Sequence, residues 1–225
     1  MSASKTFLKN QGVVASRSMT SAFSVLELLI VMAIIVILMA VIAPRAGDIM
    51  KGNTITGAGD QVVALLNNAR NAAVSQNQPV EVRIYKFRDP TLVGSATNYQ
   101  ALQPFVESST SSVTWTPLQK MLPLPQGAYI DSGGTLSPLI ASNALGVVST
   151  PSFSIPRVAT NYSYVCFHFR ADGTTDLNPN QKWFMTIKSS LLPDNAVSLP
   201  PNYTMIQILP FGGDVKVYRP LVNPH

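Results

Sequence analysis

Residues 28–43, LLIVMAIIVILMAVIA, form a run of sixteen uncharged apolar residues. The apolar segment reaches back to Phe23, and Glu27 is the one charged residue within it. At ~1.5 Å of rise per residue, residues 23–43 as a helix span about 30 Å, the thickness of a bilayer core. The run is apolar on every face, so it cannot be an amphipathic surface helix. Lys5, Lys9 and Arg17 precede it and no acid does. This distribution predicts a cytoplasmic N-terminus and an exported C-terminal domain.

Those three residues account for much of the formal charge of +5; the rest of the chain holds 13 basic against 11 acidic residues. No Lys/Arg cluster is interleaved with aromatics, so nucleic-acid binding is not expected. Cys166 is the single cysteine and has no partner for an internal disulfide.

A secretory leader would end in a small-residue cleavage site after a shorter apolar region. Here the small residue at the end, Ala43, is followed by Pro44. A plain signal anchor explains everything except Glu27, because a carboxylate in hydrocarbon costs about 2.5–3.5 kcal/mol. A third reading uses the acid. Cleavage between Ala22 and Phe23 would make Glu27 the fifth residue of a chain whose new amino group lies about 6 Å away along the helix. In a bundle of such helices, Glu27 of one copy can neutralise the N-terminal ammonium of the next and set the axial register.

The stretch AFSVLELLIVMAIIVILMAVIAP resembles the N-terminal motif of type IV prepilins and type II secretion pseudopilins: a small residue, Phe, a polar residue, two apolar residues, Glu, then an apolar helix. Ala22 departs from the usual glycine before the cut. Pro44 stands where many pilins have a helix-kinking proline. The resemblance implies that a prepilin peptidase cuts after Ala22 and N-methylates Phe23. It implies an inner-membrane assembly platform and other pilin subunits as partners, with Glu27 serving assembly. It also implies a single-pass protein of the cytoplasmic membrane that ends in a filament.

Beyond Pro44, which should kink the helix, Gly47, Gly52, Gly57 and Gly59 read as a pliable stretch. Helical periodicity resumes in DQVVALLNNARNAAVSQNQ, where Val62, Leu65, Leu66, Ala69, Ala72 and Ala73 share a face. Asp60 suits the first turn of that helix, and Pro79 ends it. Val80, Val82 and Ile84 alternate with Glu81, Arg83 and Tyr85 in a first strand. Further strands are expected at 98–105, 112–119, 128–130, 162–170, 183–188, 204–209 and 214–219, the last two forming a hairpin across PFGGD. Residues 132–160, rich in Ser, Pro, Gly and Ala, read as a loop insertion. The expected fold is α+β and pilin-like, a long N-terminal helix packed on an antiparallel sheet. Its expected organisation is leader 1–22, membrane and filament-core helix 23–43, amphipathic continuation 44–78, and exported β domain 79–225.

This order is similar to the H-type minor pseudopilins and FimT-like pilins, through ARNAAVSQNQPVEVRIY, FHFRADGTTD and GDVKVYRP. NYQALQPFVE with PLQKMLPLP resembles a narrower group, the Verru_Chthon cassette protein D family, which brings no defined activity with it.

Enzyme chemistry has little to work with. His168 lies two residues from Cys166, so the two share a strand face, but the other histidine is His225, the last residue, and no further Cys or His exists to complete a zinc site. Asp172, Asp176, Asn178 and Asn180 stand at spacings loosely like a calcium loop, without the closing bidentate Glu. Trp115 and Trp183 read as core or edge aromatics. The chain is expected to be a non-catalytic subunit with no cofactor and no metal. The competing reading is an uncleaved, membrane-anchored binding protein or enzyme.

Overall fold

The structure is a computed structural model. It describes residues 24–89, 96–108, 114–141, 155, 158, 161–195 and 197–220, without the side chains of 41–51. The leader 1–22, Ala22, Phe23, His225 and most of 142–160 therefore lie outside the described residues. The chain divides into two compact units, Met1–Arg45 and Ala46–His225.

Helix α1 runs Val25–Gln76 and supplies residues to both units. It is assigned as helix through Pro44, where one i→i−4 bond is missing for want of an N–H. In the first unit its side chains from Val25 to Met39 are exposed, the large apolar ones by 40–83 %. Among the described residues no helix is long and apolar enough to cross a membrane.

In the second unit α1 buries Val62, Leu65, Leu66, Ala69 and Ala73, on the face that the 3.6-residue period marked out, and Ile55 and Ala58 extend that face toward the N-terminus. Ala72 sits at its margin, partly buried. The helix ends in a Schellman motif: Asn77 takes the left-handed conformation (φ 52°), Gln78 N–H donates to Ala73 O at 3.2 Å and Asn77 N–H to Val74 O at 3.3 Å. Two sequence expectations need correction. Asp60 caps nothing, because the helix is unbroken around it, and its carboxylate pairs with Arg219. Gly59 is not a hinge: it sits where a Cβ would overlap the Thr204 side chain, so its lack of a side chain lets helix and sheet approach.

The strands are β1 Val80–Arg88, β2 Thr97–Ser108, β3 Thr114–Pro117, β4 Leu122–Pro123, β5 Ala128–Ile130, β6 Tyr162–Phe169, β7 Trp183–Ser189, β8 Tyr203–Ile208 and β9 Val215–Tyr218. A single turn of helix, α2 Pro138–Ala141, lies between β5 and β6. All the pairings are antiparallel, in the order β6-β1-β2-β5-β7-β8-β9. β3 and β4 also pair with β2, whose twelve residues leave room for three partners along one edge. β1 carries a bulge between Tyr85 and Lys86.

One face of the sheet packs on α1 through Val80, Val82, Ile84, Val165, Phe167, Phe169, Trp183, Met185, Ile187, Ile206 and Ile208, all fully buried. The opposite face is covered too. Tyr85, Phe87, Phe105, Tyr162 and Tyr164 form a second cluster with Ile155, Val158 and Trp115. Strand alternation describes β1 correctly, but both of its faces are interior.

Candidate functional site

The first turn of α1 is closed by a reciprocal pair of hydrogen bonds. Ser24 N–H donates to Glu27 Oε2 and Glu27 N–H donates to Ser24 Oγ, both at 3.1 Å. This is a capping box, with Ser24 at the N-cap and Glu27 three residues on. The S-x-x-E signature was legible in SVLE, and sequence reasoning that looked to another copy for Glu27's partner overlooked it. Two backbone donors at a helix start are satisfied locally, and the carboxylate faces the positive end of the helix. Ser24 is thus a site residue beside Glu27. The carboxylate is held back over the helix start at Ser24.

A different polar array occupies the outer face of the sheet. Glu81 and Arg83, on β1, pair with each other and are almost wholly buried. The Arg83 guanidinium lies 4.0 Å from the Phe105 ring centroid and 4.9 Å from that of Tyr164. His168, opposite Glu81 in the β1–β6 ladder, faces a carboxylate with each ring nitrogen: Asp176 Oδ2 is 2.6 Å from Nδ1 and Glu81 Oε2 is 3.2 Å from Nε2. Trp115 packs on the imidazole with ring centroids 5.3 Å apart.

Cys166 and His168 do share a face, but they form no nucleophile–base pair, since both His168 nitrogens are committed to carboxylates. Burial pushes the Cys166 thiol up to about 12, which leaves it protonated and unreactive at neutral pH. The array is an ion-pair network that ties β1, β6 and the following turn together.

Burial alone would lower the His168 pKa. Hydrogen bonds to Asp176 and Glu81, and their charges, outweigh it and raise the pKa from 6.5 to about 9. The stabilisation is therefore complete below pH 6.5 and is lost as pH rises through about 9. With 31 % of the side chain exposed, the loss is discounted to about 1–2 kcal/mol. Trp115 reports it directly: its fluorescence should rise as the quenching imidazolium deprotonates near pH 9. A His168→Gln variant should show neither the fluorescence step nor the alkaline loss of stability. A step that persists in that variant would refute the assignment.

The side-chain oxygens of Asp172 and Asn178 are engaged within their own turns, and that of Asp176 by β6. Asp172 Oδ1 accepts from Thr174 N–H and Oγ1–H at 2.9 and 2.7 Å, Asn178 Oδ1 accepts from Asn180 N–H at 3.0 Å, and Asp176 is taken by His168. Asp172, Asp176 and Asn178 line one open pocket of about 300 Å³, and among the described residues no group of three His, Cys, Asp or Glu could hold a metal. Trp183 is core, with Nε1–H donating to Asn178 O at 2.8 Å.

No protein-family model matches the chain, and no curated protein matches it. Among solved structures, the chain is similar to the type IV minor pilin FimU of Pseudomonas aeruginosa, with a TM-score of 0.41 and 16 % identity over 75 % of this chain and 94 % of that one. It is also similar to the minor pseudopilin EpsH from the Type 2 Secretion System of Vibrio cholerae, with a TM-score of 0.42 and 11 % identity over 74 % of this chain and 97 % of that one. Identities this low and TM-scores below 0.5 leave the functional argument to the residues themselves.

Proposed function

We propose that the chain is a non-catalytic prepilin-like subunit, processed between Ala22 and Phe23, methylated on Phe23 and assembled into a type IV pilus or type II secretion pseudopilus as a minor subunit. The observation that carries this reading is the stretch of α1 from Val25 to Met39, which exposes apolar side chains on all sides and has an acid held over its first turn. Such a surface is costly in water and needs either lipid or other apolar helices around it. Residues 23–43 serve it first as a membrane anchor, then as a filament core. Pro44 supplies the kink, and the α+β domain stays exported. The prepilin peptidase, the assembly platform and sibling subunits are its partners.

The capping box supports a second reading, because it gives Glu27 a local role that a plain anchor would also use. The two readings differ in whether copies pack helix to helix. Cys166 is the only native cysteine, so a Met32→Cys variant in a Cys166→Ala background isolates the question. Oxidation in membranes of a host with active assembly machinery, together with a sibling subunit that carries a cysteine at the same depth of its own helix, should give covalent dimers through residue 32. A chain that stays monomeric there would favour the solitary anchor.

A further inference from the structure

The two side chains of the capping box do different work. Ser24 is the last residue before α1, which begins at Val25. Its carbonyl accepts from Leu28 N–H at 3.2 Å, the first bond of the helix, and its Oγ accepts from Glu27 N–H at 3.1 Å. Both of these bonds come from backbone donors, so they persist whatever side chain stands at 27. The Glu27 carboxylate in turn takes the Ser24 N–H. In a helix that ran further back, Glu27 N–H would donate to Phe23 O and Ser24 N–H to Thr20 O. The capping box occupies both donors and so competes directly with extension of the helix.

The sequence on either side agrees. Phe23 and Leu28 stand at the two positions, just before the cap and four residues past it, whose apolar side chains form a hydrophobic staple. That pattern assigns Phe23 to the chain entering the helix. On the other side lie Ser18, Thr20 and Ser21, each a good N-cap. If the helix started after Ser21 instead, Ala22 and Phe23 would be its first two residues, and Leu26 N–H would donate to Ala22 O. That carbonyl belongs to the peptide bond between Ala22 and Phe23. A carbonyl wound into a turn and already holding a donor must be unwound before a nucleophile and oxyanion donors reach it.

We propose that Ser24 is a positioning residue for processing: as N-cap it stops α1 at Val25 and keeps the Ala22–Phe23 bond open to the peptidase. The proposal rests on the reading of that bond as the one that is cut. It gives Ser24 to cutting and leaves the charge of Glu27 to assembly.

The test is the kinetics of leader removal from the full chain by a purified prepilin peptidase in detergent. The parent is compared with Ser24→Ala, Ser24→Val, Ser24→Thr and Ser24→Asn. Thr and Val have nearly the same shape but only Thr caps, and Asn caps without a hydroxyl. Loss of the cap shifts the helix start by about fivefold in population. A substrate whose competent form is diluted in this way shows a raised KM at unchanged kcat. The expected result is a KM about threefold to fivefold higher for Ala and Val, with Thr and Asn within about twofold of the parent. A parent-like KM for Ala and Val would overturn the proposal and leave the processing reading intact. Impaired Asn beside parent-like Thr would mean that the peptidase reads the hydroxyl itself, and would overturn the helix stop. A fall in kcat at constant KM would also overturn it, because the effect would then lie in the chemistry. A parent chain left uncut would remove the processing reading and the proposal with it.

Discussion

Glu27→Val is expected to leave processing and membrane insertion intact and to reduce the residue-32 cross-link sharply. In a filament the N-terminal ammonium of Phe23 would enter an apolar bundle without a counter-charge, a cost of about 2.5–3.5 kcal/mol, or on the order of a hundredfold in assembly. The capping box makes a sharper variant available. Glu27→Gln keeps an oxygen that can accept the Ser24 N–H, and Gln serves well at this position of a capping box, but it carries no charge. If pairing between copies is what Glu27 supplies, Gln should assemble as poorly as Val. If Gln assembles like the parent chain, capping explains the residue and the pairing role is refuted.

The second large effect lies far from the helix start. Lys188 on β7 and Asp131 after β5 pair in the interior with neither side chain exposed. The Lys188 Nζ also lies 5.5 Å from the Tyr129 ring centroid. Lys188→Ala strands the Asp131 carboxylate in a site closed to water and is expected to destabilise the domain by about 3–5 kcal/mol. For a domain of this size that is a fall in Tm of about 6–20 °C. Pairing Lys188→Met with Asp131→Asn removes both charges, and the amide can still accept from Gly133 N–H as Asp131 does at 3.0 Å. The double variant should recover most of the loss in a thermal melt. A single variant that melts within a degree or two of the parent would show that the buried pair does not hold β5 to β7.

The sequence was most informative where one period met one environment. The helical face from Val62 to Ala73 followed from geometry alone; in β6 alternation put Cys166 and His168 on one face, and the structure turns the other, Val165, Phe167 and Phe169, toward α1. The polar side of β1 did not. Glu81, Arg83 and Tyr85 would ordinarily face water, but Ile155 and Val158, from a Ser/Pro-rich stretch with no periodicity of its own, help cover that face. Burial from a non-periodic segment leaves no mark in the strand it covers, so the partnership of Glu81 with His168, 87 residues away, was not readable. Gly59 misled for a related reason: a glycine kept for close approach and one kept for flexibility look the same until the facing residue, Thr204, is known. The Lys188–Asp131 pair was invisible because each residue alone reads as surface charge.

The central claim is that this chain is made as a precursor and cut. The most direct measurement is the N-terminal sequence and intact mass of the protein recovered from membranes of a host with active prepilin peptidase. The account predicts a chain that begins at N-methylated Phe23. A chain that retains residues 1–22 under those conditions would contradict it.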